Sequence, residues 1–145
     1  MTQSRTHAVA APKLREFVAG VLQAMETPPD DAAFIATVLT EADLRGVDSH
    51  GATRLPGYVE MIANGLANPL PSIKIVSETA ACAVLDGDLA FGMLVARQGM
   101  RMSMERSLEH GIGMTVSRNM THTGLVGYYT MMAAAEGFIG IAMNY

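Results

Sequence analysis

Apolar residues recur at helical spacing through the first third of the chain, then give way to short β-branched runs. Leu14, Phe17, Val18, Val21, Leu22 and Met25 fall on one stripe of a 3.6-residue repeat. They predict a first helix from about Pro12 to Met25, with residues 1–11 as a frayed lead-in. Thr27-Pro28-Pro29-Asp30 is a start signal. Thr27 or a neighbour caps, the prolines occupy the first turn, and Asp30 and Asp31 complement the helix dipole. The second helix runs to about Arg45, with Phe34, Ile35, Val38, Leu39 and Ala42 apolar. Gly46 follows as a residue free to turn left-handed. A third helix, begun near Ser49, puts Arg54 and Tyr58 on one face and Pro56 in its early turns. It ends near Asn64-Gly65.

Asn68-Pro69-Leu70-Pro71 is punctuation, and the pattern changes after it. Ile73–Ser77 and Ala81–Asp86 read as neighbouring strands forming a hairpin, with Asp86-Gly87 as a turn signal. A long helix follows from about Phe91 to Glu109, its apolar side formed by Leu94, Val95, Met102 and Leu108. His110-Gly111 closes it, the imidazole resting at the negative end of the dipole. Ile112–Ser117 is a third strand. A polar loop leads to a helix from about Gly124 to Glu136, and Phe138–Met143 is a fourth strand. The layout is mixed α/β. A helical subdomain over residues 1–68 precedes part of a layered α/β domain over residues 69–145.

Composition narrows the function classes. The chain has 145 residues, half of them hydrophobic, which suffices for one folded core. Its net charge of −4 and lack of a basic run argue against a nucleic-acid partner. No apolar run reaches the length of a membrane span. Residues 1–7 lack the apolar core of a signal peptide. The single cysteine, Cys82, cannot form an internal disulfide, which fits a cytoplasmic setting; its apolar neighbours place it in the core. Many of the 12 methionines lie between Met93 and Met132, where they read as core filling, although a subunit interface would look alike. No HExxH, CxxC or carboxylate cluster indicates a metal. Gly111-Ile112-Gly113 precedes its strand, so it is no dinucleotide fingerprint.

Two stretches carry chemistry. In Gly46–Tyr58, Asp48 and Ser49 are turn and cap residues, His50 offers a proton at neutral pH, and Arg54 suits a carboxylate. A plain helix connector explains the same residues. In Arg118–Tyr129, His122 lies in a loop that follows a strand and opens a helix. Asn119, Thr121 and Thr123 are its candidate hydrogen-bond partners, and Gly124 and Gly127 permit close approach. A satisfied loop histidine with a threonine cap is an equally good reading of the residues alone. A serine hydrolase using Ser49 and His50 is disfavoured, because adjacent loop residues seldom hold that geometry and no GxSxG elbow exists.

The order of residues separates these readings. DLRGVDSHGATRLPGY, residues 43–58, resembles the signature of the type-2 malate/L-lactate dehydrogenase family. That family comprises NAD(P)H-linked oxidoreductases acting on 2-hydroxy acids, 2-keto acids or cyclic imines, including ureidoglycolate, sulfolactate and diketogulonate enzymes. Asn119–Tyr129 resembles its Asn-Ser-Asn-His-Phe-Gly-x-x-Gly-Tyr-Tyr loop, with Thr123 where phenylalanine is frequent.

The resemblance covers roughly residues 12–145 and implies a non-Rossmann dehydrogenase fold. It implies His122, His50 and Ser49 as catalytic residues, and Arg54 and Tyr58 as substrate-binding residues. Thr121, Thr123 and Gly124 would approach an NAD or NADP cofactor. The implied reaction is hydride transfer between that cofactor and C2 of a small 2-oxo or 2-hydroxy acid such as malate, lactate or ureidoglycolate. The chain is under half the usual family length. The expectation is therefore the N-terminal part of such an enzyme, inactive alone and paired as a homodimer or with a complementing chain. The alternative is a catalytically inactive remnant or partner module.

Overall fold

A computed structural model describes residues 8–144. The chain runs α1 (Ala11–Ala24), α2 (Pro29–Leu44), two 3-10 turns (Asp48–His50 and Ala52–Arg54), α3 (Leu55–Ala63), β1 (Lys74–Glu78), β2 (Cys82–Ala90), α4 (Gly92–His110), β3 (Met114–Met120) and α5 (Gly127–Ala135). Of the expected lead-in, residues 8–10 precede α1 without regular structure, and residues 1–7, with the signal-peptide reading made on them, lie outside the described residues.

α1 and α2 pack along Val18, Leu22, Ile35, Val38 and Leu39, all fully buried. The same core takes in Tyr58 from α3 and Phe91, Met93 and Leu94 at the start of α4. Arg97 of α4 pairs with Asp31 of α2 at 2.7 Å and lies 4.4 Å over the Phe34 ring. The helical lead is thus joined to the α/β part through the first turns of α4.

The sheet has order β1-β2-β3. β1 and β2 form the expected antiparallel hairpin, with Ile75 opposite Leu85. β2 and β3 are parallel, joined across α4 in a βαβ unit. A smaller core of Leu85, Ala90 and Val95 fills the space between sheet and helix. Ser103 Oγ lies 2.9 Å from Thr115 Oγ1 where α4 crosses β3.

Several boundaries differ from the sequence pattern for physical reasons. Thr27 does not cap α2. Pro28 occupies the cap position, and the Thr27 hydroxyl is buried without a partner. α3 begins at Leu55, because extended Gly51 interrupts the run and leaves two 3-10 turns before it. Asp86-Gly87 is inside β2; the hairpin turn is Thr79–Ala81, closed by the Thr79 N–H donating to the Cys82 carbonyl. The Asp86 carboxylate instead accepts from Arg118 and Asn119 of β3.

β3 extends three residues further than expected, and α5 starts at Gly127. Gly124, at φ +65°, cannot belong to a right-handed helix. Phe17 and Leu108 are exposed, outside the apolar faces assigned to them, and Ile112 is exposed and precedes β3. Cys82 is half-buried. Met93 and Met104 are core residues, whereas Met114 is half exposed.

Residues 138–144 form no strand among the described residues. Their period-two alternation survives. Phe138, Gly140 and Ala142 are half-buried, while Ile139, Ile141 and Met143 stand in solvent. The segment lies against α5, close to Thr130 and Ala133 at Gly140, and among the described residues has no strand beside it to make a ladder.

Candidate active site

The two motifs meet. His50 closes the first 3-10 turn, and His122 lies in the loop between β3 and α5. Their rings stack with centroids 5.3 Å apart and planes at 30°. Tyr58 reaches the same place from the first turns of α3, its hydroxyl 2.7 Å from His122 Nδ1. The Gly124 N–H donates to that nitrogen at 3.2 Å. Tyr58 is buried, its ring 4.9 Å from Phe91, so the phenol is anchored in the main core and only its hydroxyl serves the site.

His50 and Arg54 are both placed by Ser49, one through its hydroxyl and the other through its carbonyl. Ser49 Oγ lies 2.9 Å from His50 Nδ1. Arg54 donates through Nε to the Ser49 carbonyl at 2.6 Å, which leaves its terminal nitrogens free; among the described residues no carboxylate pairs with it. A guanidinium held at one nitrogen presents the remaining donors in a fixed plane, suited to a carboxylate.

Asp43, which the sequence reading passed over, sets the loop. Its carboxylate accepts the Ala52 N–H at 2.9 Å. A Cβ on Gly51 would collide with that carboxylate, so the acid and the glycine form one unit. An acid in the last turn of an amphipathic helix looks like a solvated face residue. Its role follows only from the chain doubling back.

The loop after β3 is tied inward. The Thr121 hydroxyl donates to the Ala90 carbonyl at 3.3 Å, and the buried Thr123 hydroxyl accepts from Asn144 at 2.8 Å. Tyr129 donates to the Thr123 carbonyl. Asn119 is turned to Asp86. None of Asn119, Thr121 or Thr123 is the partner of His122; Tyr58 and the Gly124 amide are. The Thr121 hydroxyl is spent as a donor, whereas Thr123 is buried and only accepts, so its own proton is not engaged by a side chain or carbonyl of the loop. Gly124 packs against Val38 and Met93.

Burial lowers the His122 imidazole below the ordinary histidine value, helped by the nearby Arg54 charge and by His50. Burial raises the Tyr58 phenol, so it stays protonated, and Arg54 opposes this only in part. Both histidines are half-buried. Two shallow hollows elsewhere, of about 410 and 480 Å³, are lined partly by Glu105 and Glu136 and by Glu26 and Asp88, and neither touches the histidines. Among the described residues no cluster of metal-ligating side chains occurs, and no helix is long and apolar enough to cross a membrane.

The sequence profile of the malate/L-lactate dehydrogenase family matches residues 9–145. A malate dehydrogenase from Pyrococcus abyssi is 46% identical over 132 residues, which is 91% of this chain and 36% of that protein. An L-sulfolactate dehydrogenase from Methanocaldococcus jannaschii is 38% identical over 130 residues, 90% of this chain and 38% of that protein. The solved malate dehydrogenase of Pyrococcus horikoshii superposes with a TM-score of 0.88 at 39% identity, over 90% of this chain and 38% of that one. The chain therefore spans little more than a third of the length of the relatives it matches. With the profile spanning nearly the whole chain and the fold superposing on a solved relative, the chain belongs to the malate/L-lactate dehydrogenase family.

Proposed function

We propose that this chain carries the substrate side of a dehydrogenase site for a small 2-oxo or 2-hydroxy acid such as malate, lactate or ureidoglycolate. The carrying observation is the stacking of His50 on His122 from two distant stretches of the chain, with Tyr58 bonded to His122 and Arg54 four residues from His50 in the same turn region. Arg54 binds the carboxylate. The imidazoles face the C2 oxygen, where a developing alkoxide needs a proton or a hydrogen bond. Ser49 holds His50. Tyr58 supports the site from below, through its hydroxyl.

NAD or NADP supplies the hydride when bound. Thr121, Thr123 and Gly124 contribute the shape of the loop beside it; the Thr121 hydroxyl and the Gly124 N–H already donate within the protein, and Thr123 is buried. One cysteine and no possible internal disulfide support a cytoplasmic setting.

The test exchanges this chain for the matched segment of the Pyrococcus abyssi malate dehydrogenase and measures malate oxidation. Activity should survive the exchange. Arg54→Lys should then lower kcat/KM by about 10²-fold, because an ammonium cannot reproduce the planar clamp and small misplacements are costly. An active chimera indifferent to both Arg54→Lys and His122→Gln would end the proposal.

A second reading is favoured by one observation. Ile139 and Met143 are more than nine-tenths exposed and Ile141 more than three-quarters, in a row along one side of an extended segment. This supports a chain that acts with a homodimeric or complementing partner, or as an inactive partner module. Malate oxidation by the chimera and none by the chain alone favours the first; no activity in either favours the second.

A further inference from the structure

His122 is held at one ring nitrogen by two groups of different character. A backbone amide can only donate, so the Gly124 N–H requires a bare lone pair on Nδ1. The Tyr58 hydroxyl shares that nitrogen at 2.7 Å, and since Nδ1 bears no hydrogen the phenol must be the donor there. The His50 arrangement is different. Its Nδ1 faces the Ser49 hydroxyl, which donates or accepts with equal ease. His50 therefore keeps its partner in every protonation state, and His122 does not.

We infer that Tyr58 and the Gly124 amide fix His122 with its ring proton on Nε2, so that it meets the substrate oxygen as a neutral hydrogen-bond donor, and that Tyr58 is a positioning residue. This rests on the dehydrogenase reading for the identity of the oxygen but not for the tautomer. A doubly protonated ring would lose the Gly124 bond and face the Arg54 charge. The titratable groups acting on His122 are Arg54, His50 and Tyr58, and burial works in the same direction as the first two. Outright loss of the Nε2 proton would leave an imidazolate, or would need the Tyr58 proton to move to Nδ1. Burial opposes the resulting phenolate. His122 therefore polarises the C2 oxygen as a fixed donor through Nε2.

The experiment is two-bond proton–nitrogen correlation NMR on the full chain with ¹⁵N-labelled histidine, with the fold of each variant checked by its amide spectrum. His122 should show a bare Nδ1 and a protonated Nε2 at neutral pH. In Tyr58→Phe the ring packing on Phe91 is kept, and the His122 Nδ1 resonance should move toward that of an unbonded pyridine-type nitrogen. A His122 protonated on Nδ1, a tautomeric mixture in the native chain, or an unmoved resonance in Tyr58→Phe would each overturn the inference. In the Pyrococcus chimera, Tyr58→Phe should lower kcat at least about tenfold with KM for the acid little changed. A rise in KM at unchanged kcat would make Tyr58 a substrate ligand instead. An inactive chimera with the expected spectra would sink the dehydrogenase reading and leave the tautomer assignment standing.

Discussion

At the scale of single residues, His122 links the site to stability. Its folded-state value lies below the ordinary histidine value of 6.5, so the unfolded chain takes up its proton first as pH falls. The stability from this group is whole above about pH 6.5 and is lost as pH falls toward the lower folded value. Urea midpoints between about pH 7.5 and 5.5 should drop further for the native chain than for His122→Gln. Equal slopes would show that His122 is not held neutral by the fold. Asp43 is the second such residue. Replacing it with Ala leaves the Ala52 N–H without its acceptor, and should cost about 0.5–2 kcal/mol by analogy with a lost helix cap. Asp43→Asn, which keeps an acceptor oxygen, should recover most of that in the same denaturation measurement. The motif letters marked His50, Arg54 and His122. Asp43 was silent, and Tyr58 was marked for the substrate with no sign of its bond to His122, because both act across the fold rather than along the chain.

At the scale of elements, helices α1, α2 and α4 were legible because amphipathic periodicity and glycine stops are local properties. Gly46 and Gly111, at φ +72° and +76°, end their helices as the pattern indicated. The strand ends were less legible, because a ladder is made with a neighbour. β2 runs through Asp86-Gly87 since β3 supplies Arg118 and Asn119 to the carboxylate. Gly87 also lets β2 pass close to the Asn119 carbonyl, which a side chain would crowd. Gly113 is the tightest approach between α4 and the start of β3. A Cβ there would strike the Ser103 carbonyl, backbone that cannot swing aside. Gly113→Ala should lose about 1–3 kcal/mol in urea unfolding, the usual range for overpacking. A neutral result would mean the α4–β3 connection is free to shift.

At the scale of the whole molecule, Phe91 is the joint. It caps α4, is fully buried, packs beneath Tyr58, and belongs to the core shared with α1 and α2. Phe91→Ala should cost about 3–5 kcal/mol, the range for emptying a large aromatic site. Circular dichroism should report one shared loss rather than melting of the helices alone. The same change should blur the His122 resonance, since Tyr58 would lose the surface that aims its hydroxyl. A second, independent transition would show that the helical lead and the sheet are not one cooperative unit.

Local order and spacing were enough to determine the family, the mixed α/β character, three of the long helices and the chemical identity of the two loops. Those features depend on which side chains recur at which interval, and a linear string records that directly. Tertiary structure alone decided that the two loops meet at the histidines, that Tyr58 faces one of them, that Thr121 and Thr123 are turned to Ala90 and Asn144, and that residues 138–144 join no sheet. Each of these is settled by a neighbour distant in the chain, through a hydrogen bond or a packing contact that no interval encodes.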